Sequence, residues 1–113
     1  MKFHDAATKL MATFQRQTGI EPDAFARTNE YRQFAKAAEQ DGFTGPDIEM
    51  DMDFASRSPK WVMQADKEAL KRWVHTLLRS DRSNGDYPTA VLDACQSGCM
   101  DALVERLAAQ TSF

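Results

Sequence analysis

The sequence has no long hydrophobic run, and it has only two cysteines and two histidines among 113 residues. No apolar stretch approaches the roughly 20 residues that a membrane-spanning helix needs, so a transmembrane helix is not expected. The first ten residues, MKFHDAATKL, lack the uninterrupted apolar core of a secretory signal peptide. These absences predict a cytoplasmic protein without a membrane partner.

The two cysteines, Cys95 and Cys99, are spaced C-x3-C, not the C-x-x-C of thioredoxin-like motifs. A zinc site would need two more ligands, and His4 and His75 do not form a ligand-like pair. We therefore predict that both cysteines are small buried hydrophobic residues, with no metal and no cofactor, although a redox role stays open.

Catalytic signatures are also missing. The chain has no G-x-S-x-G, no P-loop, no H-E-x-x-H and no glycine-rich dinucleotide turn. An enzyme would have to use His75, Asp81 or the acids between Asp47 and Asp53 as acid and base groups, without a recognisable nucleophile. The sequence therefore favours a protein that is not an enzyme.

The composition indicates a folded chain. Hydrophobic residues make up 42%, including seven Phe, two Trp and two Tyr, which is too much for a disordered segment. A chain of this length supports one hydrophobic core. We therefore expect residues 1–113 to form a single helical domain, with residues 111–113 frayed.

The best organised stretch lies between Asp66 and Arg82. Its apolar residues follow the spacing of one helical face, with Asp66 as a cap and Ser83 to Gly85 as a stop. The residues of that face are Leu70, Trp73, Val74, Leu77 and Leu78. We predict a central helix that buries this face.

Other segments also have helical spacing and end signals. They are 5–17, a short turn after Pro22, a helix from the cap Thr28 to Asp41-Gly42, a short helix at 59–65, a helix capped by Asp86, and a last helix after Ser97-Gly98. The sequence therefore predicts an all-α, compact, orthogonal or bundle-like domain of five to six helices.

An acidic segment at 47–54 interrupts the helices. Its acids alternate with apolar residues, which predicts an extended segment that turns four carboxylates to water and its apolar side to the helices. Those carboxylates belong to Asp47, Glu49, Asp51 and Asp53. A calcium loop is disfavoured because Met52 stands where glycine is required, and Ser58 where a bidentate Glu is required. The alternative to a solvated face is an acidic strip that binds a partner.

Basic residues line the polar face of the central helix: Lys67, Lys71, Arg72, His75 and Arg79. They favour either a solvated face with a Glu68 to Arg72 pair, or a stripe that binds an anion. The net charge of −3, with no basic and six acidic residues at 39–53, disfavours general nucleic-acid binding. It suits an acidic segment steered onto a basic helix, or a bipolar surface for a protein partner.

Several motifs from Gln33 onward occur together. A first helix ends in a Phe…Gly-aromatic motif, and a linker with acidic and aromatic residues follows it. A Leu-rich helix then ends in an R-x-D-R motif, which is followed by a glycine. A Ser-Gly break and a final Leu-rich helix come last. These motifs are Phe34 to Gly42-Phe43, Asp53-Phe54 with Trp61, Trp73 to Leu78, Arg79-Ser80-Asp81-Arg82, Gly85, Ser97-Gly98, and Leu103 to Leu107. The pattern resembles a family of small bacterial proteins of unknown function, in which Phe stands where this chain has Ser83. The resemblance implies an all-α fold and a bacterial or mobile-element origin, and no reaction.

The R-x-D-R element has two interpretations of its own. Arg79, Asp81 and Arg82 form a local ion-pair lattice, or the two guanidinium groups bind a carboxylate or phosphate.

Together these features predict a non-enzymatic protein-protein interaction module, an adaptor or inhibitor. The alternative is nucleic-acid binding through the basic face of the 66–82 helix, and a homodimer is also open. The candidate partner-binding residues are Asp47, Glu49, Asp51, Asp53, Lys71, Arg72, His75, Arg79 and Arg82.

Overall fold

The computed structural model describes residues 2–17, 19–85 and 87–109. Within these ranges the chain forms seven α-helices and one 3-10 turn, and no strand. The helices are α1 Lys2–Arg16, α2 Pro22–Ala26, α3 Asn29–Gln40, α4 Pro59–Gln64, α5 Lys67–Ser83, α6 Ala90–Ser97 and α7 Cys99–Ala109, with the 3-10 turn at Phe54–Ser56. The all-α prediction is confirmed, and the short helices α2 and α4 bring the count to seven.

Side-chain caps fix the starts of three helices. Thr28 Oγ1 accepts from the Tyr31 amide at 3.2 Å, and Asp66 Oδ1 accepts from the Ala69 amide at 2.8 Å. Ser58 Oγ likewise accepts from an amide in the first turn of α4. Each cap satisfies one amide that has no partner within its own helix. The predicted break near Thr28 is confirmed, because α2 and α3 end and begin on either side of it.

The apolar face of α5 lies in the core. Trp73 is only 1% exposed, and Leu70, Val74 and Leu77 are buried beside it. Helix α6 packs against α5 and α7, while α1 packs against α3 and α7. Burial of each large apolar side chain stabilises a fold by roughly 1.5–3 kcal/mol, so this face is a principal source of stability.

An aromatic cluster closes α1 onto α3. The Phe3 ring centroid lies 4.7 Å from that of Phe43 and 5.0 Å from that of Phe34. Phe43 reaches the cluster because Gly42 ends α3 with a φ of +81°, and the Phe43 amide then donates to the Ala38 carbonyl at 2.7 Å. This is the αL helix ending that glycine favours.

Two predicted helix ends fall outside the described residues: the cap Asp86 and the frayed residues 111–113. Helix α6 begins at Ala90, and the side chain of the residue before it, Thr89, makes no capping hydrogen bond. The first amides of α6 instead donate to Asp81, on α5.

The predicted alternation in the acidic segment fails at residues 50–52, although Asp47, Glu49 and Asp53 are exposed as predicted. Asp51 is buried with 7% of its surface exposed, whereas Met50 and Met52 are 46% and 88% exposed. The buried carboxylate is tolerated because Arg57 donates to both of its oxygens, at 2.9 and 3.1 Å. The backbone is irregular at 48–51 and turns at Met52 and Asp53. A side-chain ion pair, which sequence alternation does not encode, therefore decides which residues face inward.

Gly98 supplies a test of the fold. It ends α6 with a φ of +89°, and a Cβ there would lie 3.4 Å from Pro59 Cγ. We expect Gly98→Ala to lower the free energy of unfolding by about 1–2 kcal/mol, since L-residues disfavour αL backbone. Gly85→Ala is the control, because Gly85 has no positive φ and open space around it. Urea unfolding that shows equal effects of the two substitutions would contradict this.

Candidate functional site

Asp81 joins three helices at a buried carboxylate. Its Oδ2 accepts from the Tyr31 hydroxyl of α3 at 2.5 Å, and its Oδ1 accepts from the Ala90 amide of α6 at 2.7 Å. The Val91 amide donates to Oδ2 at 3.4 Å. Burial raises the pKa of Asp81, while these hydrogen bonds partly offset that effect. Asp81, which one interpretation of the sequence placed in a surface ion-pair lattice, therefore caps α6 inside the fold.

Arg79 and Arg82, on either side of Asp81 in the sequence, are exposed on α5. No carboxylate in the described part of the chain lies within ion-pair distance of either guanidinium group. The predicted lattice of Arg79, Asp81 and Arg82 is therefore wrong, because the Asp81 carboxylate is occupied inside the fold. The two cations remain available to an external anion.

The two arginines border a groove, which we call the arginine groove. It consists of two depressions of about 470 and 800 Å³ that share Glu39, Thr44, Arg79 and Arg82. The first lies between α3 and α5, with Tyr31, Leu78 and Pro88 in its wall. The second lies between α5 and the acidic segment, with Ile48, Met50 and His75 in its wall. The groove thus combines cationic and apolar surface.

The other basic residues of α5 have acidic neighbours. Lys71 Nζ lies 3.6 Å from Glu68 Oε1, so Glu68 pairs with Lys71 instead of the predicted Arg72. Asp47 and Glu49 line a shallow depression of about 280 Å³ together with Lys71 and Arg72. The acidic segment therefore lies near the first half of α5. In the second half, Arg79 and Arg82 border the groove together with Glu39 of α3 but form no ion pair within the described residues.

His75 is not on the solvated face that its spacing predicts. It is 7% exposed, and its Nδ1 lies 2.8 Å from Thr44 Oγ1 and accepts from the Gly45 amide at 3.5 Å. Since an amide can only donate, the Gly45 contact favours a ring whose Nδ1 carries no proton. Burial, and then the charges of Arg79 and Arg82, lower the pKa of His75. His75 therefore anchors the segment after α3 to α5.

The candidate residues divide into three groups. Arg79 and Arg82 form the groove border; Asp47, Glu49, Lys71 and Arg72 lie together beside it; and Asp51 and His75 are buried anchors. The remaining candidate, Asp53, belongs to none of the three and is exposed in a turn. Sequence reasoning missed Tyr31 and Pro88 as groove residues. The three-residue spacing of Arg79 and Arg82 in the sequence indicated the cationic part of the groove.

The cysteines are buried, as expected. Cys95 and Cys99 are 4% and 3% exposed. Burial raises the pKa of the Cys95 thiol to about 12, and the Cys99 thiol donates to the Arg57 carbonyl at 3.3 Å. The environment of Cys95 therefore does not favour a reactive thiolate. Among the described residues, no group of three His, Cys, Asp or Glu side chains is arranged to hold a metal ion.

No protein-family model matches the chain, and neither a curated protein nor a solved structure matches it significantly. The resemblance to the bacterial family therefore stays a prediction. No helix in the described ranges is long and apolar enough to cross a membrane.

The joint at Asp81 gives a second prediction. We expect Asp81→Ala to lower the free energy of unfolding by about 3 kcal/mol, because buried amides and a hydroxyl lose their acceptor. Tyr31→Phe removes one donor only and should cost about 1 kcal/mol. Urea unfolding measures both. If Asp81→Ala lowers the free energy of unfolding no more than Tyr31→Phe does, the Asp81 carboxylate does not hold the three helices together.

His75 gives a third prediction, with a defined sign. Its pKa is lower in the fold than its usual 6.5. Its contribution to stability is therefore complete above pH 6.5 and is lost as the pH falls from 6.5 through the lower pKa of the folded state. Unfolding in urea at about pH 7.5 and about pH 5.5 should show this decline. His75→Asn retains an acceptor but does not titrate, so the decline should shrink. His4→Asn, on the surface of α1, should leave it unchanged, and equal slopes in all three proteins would refute the assignment.

Proposed function

We propose that this protein is a non-enzymatic interaction module that binds an acidic, partly apolar segment of another protein in the arginine groove. The observation that carries the proposal is the pair Arg79 and Arg82, exposed side by side without a carboxylate partner among the described residues. Guanidinium groups bind carboxylates through paired, charge-assisted hydrogen bonds.

The groove walls favour a peptide over a free ion. Half-buried Leu78 and exposed Met50 lie beside the arginines, and Met side chains suit adaptable binding surfaces. The two depressions, of about 470 and 800 Å³, each fall in the size range of ligand sites. Because they share a border, an extended or helical segment can occupy both and place its acids against the cations.

Charge distribution favours a protein partner over nucleic acid. A duplex-binding surface neutralises many phosphates, whereas Lys71 and Arg72 lie beside Asp47, Glu49 and Glu68. The net charge of −3 further disfavours a polyanion. Two arginines without an ion-pair partner among the described residues match a few carboxylates. A cytoplasmic location, and an adaptor or inhibitor role in a bacterial or mobile-element setting, remain part of the proposal.

The groups that would support catalysis are used within the fold. Asp81 accepts three hydrogen bonds, and His75 Nδ1 already has two donors beside it. Neither cysteine is exposed. These contacts support a binding role.

Selection from a displayed random-peptide library tests the proposal. We expect the wild-type protein to enrich segments with Asp or Glu between apolar residues, since such segments match both parts of the groove. For an enriched peptide, Arg79→Gln and Arg82→Gln should each weaken binding about tenfold, the effect of losing a charged hydrogen bond. Fluorescence anisotropy measures the affinity.

Arg72→Gln is the matched control, because it removes an exposed positive charge from the same helix outside the groove. It should change the affinity less than twofold. Peptides without acidic residues, or equal losses from all three substitutions, would refute the groove as the site. Tighter binding of duplex DNA than of any peptide, with a steep salt dependence, would favour the nucleic-acid alternative.

A further inference from the structure

The chain carries an exposed apolar side chain next to an exposed carboxylate. Met52 is 88% exposed, more than any other large apolar residue that the structure describes. Asp53 follows it in the same turn, with 74% of its side chain exposed and its carboxylate at the 4.0 Å limit of an ion pair with Arg57. We call Met52 and Asp53 the acidic turn. It offers a partner one apolar side chain to bury and one negative charge to pair.

The acidic turn lies beside the arginine groove of its own chain without occupying it. Met50, two residues earlier, is in the groove wall, and the Asp51 amide donates to Thr76 Oγ1 at 2.7 Å. Thr76 precedes Arg79 by three residues, or about 4.5 Å along the axis of α5. Met52 itself lines neither depression of the groove, and its exposure leaves it uncovered by its own chain. The turn and the groove are therefore neighbouring but separate surfaces of one molecule.

The two surfaces are complementary in charge and in polarity. The groove has two guanidinium groups, of Arg79 and Arg82, that form no ion pair within the described residues, and half-buried Leu78 lies in its wall. Glu39 also borders the groove, but the two arginines outnumber it, so a carboxylate is attracted overall. When two complementary surfaces are neighbours on one molecule, a copy related by a two-fold axis matches both of them at once.

We propose that two copies of this chain associate about a two-fold axis, and that each places Met52 in the arginine groove of the other. The Asp53 carboxylate of each copy then pairs with Arg79 and Arg82 of the other. The inference rests on the part of the proposed function that assigns acidic, partly apolar segments to the groove. It adds that a second copy occupies the groove until a partner of higher affinity displaces it. Because each contact is small, we expect a weak dimer with a Kd of about 0.5 mM.

Sedimentation velocity of the full chain tests the association. Between about 10 μM and about 1 mM protein, the sedimentation coefficient should rise from that of a monomer towards that of a dimer. It should not rise further, since a two-fold contact uses both surfaces of each copy and closes at two. A monomer at every concentration would overturn the proposal. Assemblies that keep growing beyond the dimer would show a head-to-tail contact and would also overturn it.

Two exposed methionines give a matched pair of variants. Met52→Gln and Met63→Gln each replace an exposed methionine by a polar side chain of similar length. Met63 is 38% exposed on α4 and lies outside both depressions of the groove. The first substitution should weaken the dimer about tenfold, because the apolar burial is lost, and the second less than about twofold. Equal effects of the two substitutions would overturn the assignment of Met52.

Charge exchange tests which groups meet across the axis. Arg82→Glu and Asp53→Lys each place like charges in both contacts of the dimer, so each variant alone should stay monomeric at about 1 mM. An equimolar mixture of the two variants should form the dimer again, because both contacts then join opposite charges. Recovery in the mixture also shows that neither variant has lost its fold. A mixture that stays monomeric would overturn the proposal.

Peptide binding separates this inference from the proposed function. At about 1 μM the protein is monomeric, so fluorescence anisotropy with a selected acidic peptide measures the groove alone. Peptide binding without a dimer at about 1 mM would refute the association and leave the proposed function intact. A dimer that behaves as expected in the methionine and charge-exchange variants, without binding of any selected peptide, would support the association and refute an external partner.

Discussion

The buried carboxylate of Asp81 is the contact on which the rest of the structure depends. It accepts from α3 through Tyr31 and from the start of α6 through Ala90, while it belongs to the last turns of α5. A carboxylate is the natural acceptor here, because the amides at a helix start carry partial positive charge. The hydrogen bonds from these donors offset the free-energy cost of removing the Asp81 carboxylate from water. They also replace the capping side chain that the residue before α6 does not provide.

The inward position of Asp81 also creates the cationic surface. A carboxylate between two arginines in the sequence suggests mutual neutralisation, yet here it is used inside the fold. The same holds for Asp51, which accepts from Arg57 Nε and Nη2 inside the fold, while the acids around it are exposed. Two acids are thus withdrawn from the surface. Arg79 and Arg82 form no ion pair within the described residues, and Glu39 is the exposed carboxylate that borders the groove with them. The hydrogen-bonding needs of the core therefore decide which charges remain at the surface.

Sequence patterns predicted the helices well because each pattern reflects local physics. The spacing of Trp73 with its Leu and Val neighbours, and the caps Thr28, Ser58 and Asp66, depend only on residues within one helix. Asp51, His75 and Asp81 were assigned to the surface, and all three are buried. Their partners lie 6 to 50 residues away in the sequence, so no local period reveals them. The arginine pair was found from sequence, whereas the groove walls required the folded chain.

The acidic segment is attached to α5 by polar contacts instead of an apolar face. Thr44 Oγ1 lies 2.8 Å from His75 Nδ1, and the Asp51 amide donates to Thr76 Oγ1 at 2.7 Å. His75 and Thr76 are adjacent on α5. The two contacts therefore fix both ends of the segment 44–51 at one place on that helix, and the residues between the ends form a loop. Ile48 and Met50 lie within that loop and form a wall of the arginine groove. The loop is held by these two hydrogen bonds and by the Asp51–Arg57 ion pair, none of which uses Arg79 or Arg82. The charges of those two arginines therefore stay at the border of the groove.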